Sequence, residues 1–150
     1  MDLKRLARSQ FGLLTRDQAL AELSVAALRW RIERGTWQAI HPGVYCVHAE
    51  VLDWWARASA ALLFYGDGAA LAMNSAAYLL GLDARQPPLV QIDTPASTQR
   101  QRRPGIRTRR RRRLVTVTRR GLTVTAPAFT ALDLGDDPRA SREDAIAVAA

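Results

Sequence analysis

The stretch from Ser24 to Gly35 (SVAALRWRIERG) constrains the fold more than any other. A serine hydroxyl at its start caps a helix by accepting a bond from an orphan backbone N–H two or three residues on. A glycine at its end stops that helix in the left-handed conformation that side chains resist. Between them Val25, Leu28 and Ile32 fall on one face at helical spacing, leaving Ala26, Trp30, Glu33 and Arg34 outward and Arg29 and Arg31 on the flanks. Two alanines near the start let that end approach another surface closely, and the arginines then reach phosphates or the acceptor atoms of guanine. The stretch reads as the recognition helix of a winged helix-turn-helix.

The neighbouring segments fit that reading. Asp2 to Ser9 is a first helix with Leu3, Leu6 and Ala7 inward, broken by Gly12. Thr15 caps a second helix, Arg16 to Leu23, with Ala19, Leu20 and Leu23 as its apolar stripe. The turn into Ser24 is as tight as helix-turn-helix geometry demands. Trp37 to Ile40, the turn His41-Pro42-Gly43 and Val44 to Val47 form a two-stranded hairpin, the wing. A generic helical subdomain with solvated charges is the competing reading; the tight turn and the adjacent wing favour DNA.

The rest of the chain reads as a mixed helix–strand domain. Leu52 to Tyr65 is apolar nearly all round and ends at Gly66-Asp67-Gly68; Ala69 to Leu80 is a second such helix, re-capped at Asn74 or Ser75 and closed by Gly81. Leu89 to Asp93 alternates as a strand, Ile106 to Thr118 supplies one or two more, and Leu122 to Thr125 follows the turn at Gly121. A short helix from Thr125 or Pro127 to Leu134 ends at Asp136-Asp137-Pro138. Ser141 caps a final helix, with Glu143 and Asp144 favouring its dipole; it meets no stop signal, so the sequence reads as cut at Ala150. The expected fold class is α/β (α+β): a winged helix-turn-helix over 1–50 and a small mixed domain over 51–150.

Composition narrows the function. A single cysteine, Cys46, rules out an internal disulfide framework and fits a reducing compartment. The charged N-terminus lacks the apolar core of a secretory signal, and no run of about 18 apolar residues offers a membrane span. The expected location is cytoplasmic. The net charge of +8 is local: residues 100–120 hold eleven arginines and no carboxylate, and the remainder is slightly acidic. Nine of the fourteen residues from Arg100 to Arg113 are arginine, a large salt-sensitive and sequence-blind attraction for phosphates. The alternative is a solvated loop and edge strand whose charges prevent edge pairing.

Chemistry of the enzymatic kind finds little support. Lys4 is the only lysine, so a nuclease site pairing carboxylates with a lysine cannot be assembled, and neither a phosphate-cradling Gly-Lys-Ser/Thr loop nor a Gly-x-Ser-x-Gly elbow occurs. His41, Cys46 and His48 cluster on the wing, but their spacing matches no zinc motif and a fourth ligand is missing. The expectation is therefore no catalysis, no metal and no cofactor. The residues expected to touch DNA divide into two groups. Thr15 and Arg16 lie at a helix start facing backbone phosphates; Ser24, Ala26, Arg29, Trp30 and Arg34 lie on the recognition helix; Gln38 and His41 lie on the wing. Arg107, Arg109, Arg110, Arg111 and Arg112 then strengthen binding without reading bases.

Several runs carry a family likeness. Gln10-Phe11-Gly12-Leu13-Leu14-Thr15-Arg16-Asp17-Gln18, Gly35-Thr36-Trp37-Gln38-Ala39-Ile40 and Pro42-Gly43-Val44-Tyr45 resemble the N-terminal domain of AbiEi-like antitoxins, the transcriptional regulators of type IV toxin–antitoxin systems. Ser75 to Leu82 and Thr125 to Leu134 are similar to the segment that follows in that family. The resemblance implies an operator-DNA reader joined to an α/β domain, repressing its own operon, with double-stranded DNA as partner, inverted-repeat half-sites suited to a dimer, and a cognate toxin met only indirectly. Many relatives continue into a nuclease-like region; the sequence stops at Ala150, so that region's activity is not carried over. The alternatives are a protein–protein module that neutralises a toxin, and the N-terminal part of a nuclease-like protein.

Overall fold

The computed structural model of the protein describes residues 2–98 and 101–136. The chain divides into two compact units, with the boundary after Gly66. Among the described residues there are six helices and two sheets, a mixed α/β architecture.

The first unit opens with α1 (Leu3–Ser9), capped by the Asp2 carboxylate, which accepts from the Lys4 amide at 3.2 Å. Gly12 then adopts a φ of +85° and its amide donates to the Ala7 carbonyl, turning the chain into β1 (Leu13–Thr15). Thr15 ends that strand and caps α2 (Arg16–Leu20) through a capping box: its hydroxyl accepts from the Gln18 amide, and the Gln18 side-chain oxygen accepts from the Thr15 amide. Ser24 caps α3 (Val25–Glu33) by accepting from the Ala27 amide at 3.1 Å. Beyond Gly35, with φ +75°, come β2 (Gln38–His41) and β3 (Val44–Cys46). Asp53 caps α4 (Trp54–Tyr65) through the Ala56 amide at 2.8 Å.

Three differences from the sequence expectations stand out in this unit. The wing is a three-stranded antiparallel sheet in the order β1-β3-β2, with Tyr45 of β3 opposite Leu14 on one side and Ala39 on the other. The segment 13–15 is too short for alternation to reveal a strand, and its partner lies some thirty residues downstream. The second helix stops at Leu20 rather than Leu23. The expected boundary at residue 50 would assign α4 to the second unit, yet Ala56 and Ala60 pack with Leu13, Val44 and Cys46 in one core cluster. Its alanine-rich face lets the helix sit close against the sheet. A second cluster joins Ala19, Leu28 and Tyr45, with Leu20, Ile32 and Trp37 around it, and so anchors α3.

The second unit holds β4 (Ala70–Leu71), α5 (Met73–Leu79), β5 (Val90–Pro95), β6 (Ile106–Arg111), β7 (Thr116–Arg119), β8 (Leu122–Thr125) and α6 (Pro127–Asp136). The sheet order is β6-β5-β4-β8-β7, with β5–β6 and β4–β8 parallel and β4–β5 and β7–β8 antiparallel. The apolar run expected as one helix over Ala69 to Leu80 therefore starts as the central strand. Ala70 and Leu71 are fully buried, and a short apolar run does not distinguish a buried strand from a buried helix. Met73, at φ +52°, makes the switch into α5. Helices α5 and α6 share a core of Ala72, Met73, Ala77 and Leu134. The expected stop at Asp137-Pro138 and the helix from Ser141 to Ala150 lie outside the described residues.

The arginine-rich edge strand β6 is fastened by four charges. Parallel pairing sets Arg109 beside Asp93, and the guanidinium grips that carboxylate with Nε at 3.1 Å and Nη2 at 2.8 Å. Asp133, from α6, accepts from Arg111 Nη1 at 2.9 Å and from Arg109 Nη2 at 3.3 Å, while Arg111 also lies 3.5 Å from Asp93. The Arg111 guanidinium sits 4.9 Å above the Phe129 ring. Asp93 is fully buried and Asp133 nearly so; the hydrogen bonds and charge of Asp93 hold the Arg109 guanidinium above its usual pKa. Burying a carboxylate is tolerable only when its charge is met in this way.

Two substitutions test these anchors by urea denaturation. Leu28→Ala should destabilise the protein by about 2–4 kcal/mol through the cavity left beneath α3. Asp93→Asn should cost about 3 kcal/mol by leaving Arg109 without its buried partner. An unchanged midpoint in either variant contradicts the corresponding anchor.

Candidate nucleic-acid interface

Burial of Leu28 decides which side of α3 faces out. Ser24, Val25, Ala26, Arg29, Trp30, Glu33 and Arg34 are all exposed. Val25, expected inward, is 49% exposed: of the three residues on that face only Leu28 and Ile32 join the anchoring cluster. Trp30 is 52% exposed, and the Arg34 guanidinium lies 4.9 Å from its ring centroid, a stack that holds both groups on the outer surface. Arg31, expected on a flank with Arg29, turns back instead. It donates to the Ala27 carbonyl at 3.0 Å and covers the Trp37 ring at 5.7 Å, so Arg29 is the flank arginine left outward.

At the start of α2 the expected phosphate contact through backbone amides is already spent internally. The Thr15 amide donates to Gln18, and the Arg16 amide donates to the Gly43 carbonyl at 2.8 Å, tying the helix to the turn of the wing. The Thr15 hydroxyl accepts from Gln18; the Arg16 side chain remains exposed.

On the wing, Gln38 is half-buried and donates to the His48 carbonyl at 3.4 Å. His41 is 8% exposed and its ring packs on Phe64 with centroids 5.3 Å apart. It therefore belongs to the interior of the unit and not to a DNA-facing rim, because an imidazole is apolar enough to pack on a ring where the turn folds over α4. Cys46 is fully buried with its sulfur 3.4 Å from the His48 ring nitrogens, and burial raises the thiol pKa above its ordinary value. His41 points to Phe64 instead of joining this pair.

The arginine segment splits in two. Arg109 and Arg111 are half-buried and committed to Asp93 and Asp133, so they are structural and not phosphate-seeking as expected. Arg107, Arg110 and Arg112 are exposed. The sequence signal for the two carboxylates is their place among apolar residues. Asp93 lies in the alternating strand that holds Val90 and Ile92, and Asp133 interrupts the apolar run Ala131-Leu132-Asp133-Leu134; a carboxylate in such a position calls for a cation from elsewhere.

Among the described residues no helix is long and apolar enough to cross a membrane. Compared with known families, residues 1–48 match the one described as transcriptional regulator, AbiEi antitoxin, and residues 69–149 match the AbiEi antitoxin C-terminal domain. No curated protein matches the chain. The two family matches fall one in each compact unit and agree with the likeness carried by the Gln10 to Gln18 and Pro42 to Tyr45 runs. The chain belongs to the AbiEi antitoxin family of transcriptional regulators.

Proposed function

We propose that the chain binds operator DNA sequence-specifically and represses its own toxin–antitoxin operon by covering the promoter. The observation that supports this best is the outer face of α3, where Ala26, Arg29, Trp30 and Arg34 are exposed on a helix anchored from behind by Leu28. A helix with small residues at its leading end and arginines behind suits the major groove, where arginine pairs bidentately with guanine. Arg16 approaches the backbone beside it. Arg107, Arg110 and Arg112 add sequence-independent attraction. No chemical step is needed, and the role is cytoplasmic. Two half-sites in inverted repeat would suit a dimer on DNA, and the toxin is countered indirectly, through control of its transcription.

A mobility-shift assay on the DNA upstream of the protein's own operon, against unrelated DNA of equal length, tests the reading. The upstream DNA should be preferred, and Arg29→Ala should weaken that preference by about tenfold, the worth of one bidentate guanine contact. Equal retention of both DNAs would sink the proposal. Replacing Arg107, Arg110 and Arg112 together by glutamine should lower the slope of log K against log salt by up to about 2.7, leaving the preference intact. Loss of preference in that variant would contradict the division between reading and holding.

A further inference from the structure

The exposed side of α3 is not uniformly polar at its leading end. Val25 borders a surface hollow of about 310 Å³ whose lining is Arg16, Val25, Leu28, Arg29, Ile32 and Glu33. The aliphatic part of the lining is Val25, Leu28 and Ile32. Two cations share it, Arg16 from the start of α2 and Arg29 from the middle of α3. Glu33, one turn beyond Arg29 as Val25 is one turn before it, adds a single negative charge to the lining, which keeps a net positive charge of one.

A small apolar group attached to something anionic fits this hollow. Within a DNA major groove the matching group is the 5-methyl of thymine, the one apolar feature displayed on a base edge there. Its flanking phosphate would meet Arg16. Val25 and Arg29 are one turn apart, with about 5–6 Å between their Cβ atoms, and stacked bases along a strand are about 3.4 Å apart. The two side chains thus address bases one or two steps apart. We infer that Val25 reads a thymine methyl, within two base pairs of a guanine read by Arg29, and that this pair of contacts sets the operator preference. The inference rests on the DNA-binding reading above and goes beyond it by naming the bases.

The test uses the full chain to select duplexes from a random-sequence pool. The selected duplex is then resynthesised with single thymines replaced by deoxyuridine, which deletes the methyl alone, and single guanines replaced by 7-deazaguanine, which deletes N7, one of the two acceptors that a bidentate arginine uses. One uracil substitution should weaken binding about fourfold, the worth of one buried methyl, within two base pairs of a guanine whose replacement also weakens it. Val25→Ala should bind the thymine and uracil duplexes alike, while Arg29→Ala should lose the deazaguanine effect. Alanine is a better helix former than valine, so an exposed Val25→Ala helix should persist, and a thermal melt by circular dichroism verifies that it does. Selected duplexes indifferent to uracil at every thymine, or a Val25→Ala protein that keeps the full uracil effect, would overturn the inference while leaving sequence-specific binding in place. A pool that enriches no sequence would remove the DNA reading itself, and the inference with it.

Discussion

Leu28 is the side chain on which the geometry of the first unit turns. It is fully buried against Ala19 of α2 and Tyr45 of β3, and through them it sets α3 against both the preceding helix and the wing sheet. A helix with one deeply buried side chain has little choice of rotation, so everything a turn away is fixed by exclusion. Arg29 and Trp30 face out because Leu28 cannot. The same constraint explains Arg31, which lies on the inner flank and is used to bridge the Ala27 carbonyl and the Trp37 ring. One apolar contact therefore sorts the two basic side chains of α3 into one outward group, Arg29, and one brace, Arg31.

The second unit solves a different problem. An edge strand rich in like charges repels itself and gains little from burial. Here two of its guanidiniums are bonded to carboxylates that arrive from the neighbouring strand and from α6, and one of them also rests on an aromatic face. Each carboxylate is buried only because it is met by arginine, and β6 is held to the sheet in part by those same bonds. The positive charge left to attract a polyanion is accordingly smaller than composition suggests: within β6 the exposed arginines are Arg107 and Arg110, joined beyond it by Arg102, Arg112, Arg113, Arg119 and Arg120.

What could be read from the sequence was local. Thr15, Ser24 and Gly35 announce the ends of the helices they bound, because capping uses atoms within three residues. The strands at Val90, Ile106 and Leu122 were legible from alternation and turn residues. What escaped depended on partners far away in the chain. The strand at Leu13 exists because β3 is there to pair with it, and Ala70–Leu71 is a strand because β5 and β8 flank it. His41 and Arg109 escape for the same reason. Their residue types advertise exposure, and only Phe64 and Asp93, 23 and 16 positions away, draw them inward. The exposed face of α3 was largely legible; its apolar leading edge at Val25 was not, since periodicity alone assigns that residue to the interior.

Trp30 has one further consequence. Of the four indoles in the chain, Trp54 is buried and Trp37 and Trp55 are half-covered, so Trp30 is the one most open to water, and it carries a guanidinium on its face. Its emission should be the reddest of the four and the most accessible to an aqueous quencher. Helix α3 thus comes with its own optical label, and whatever settles on that surface will announce itself in the light the protein gives off.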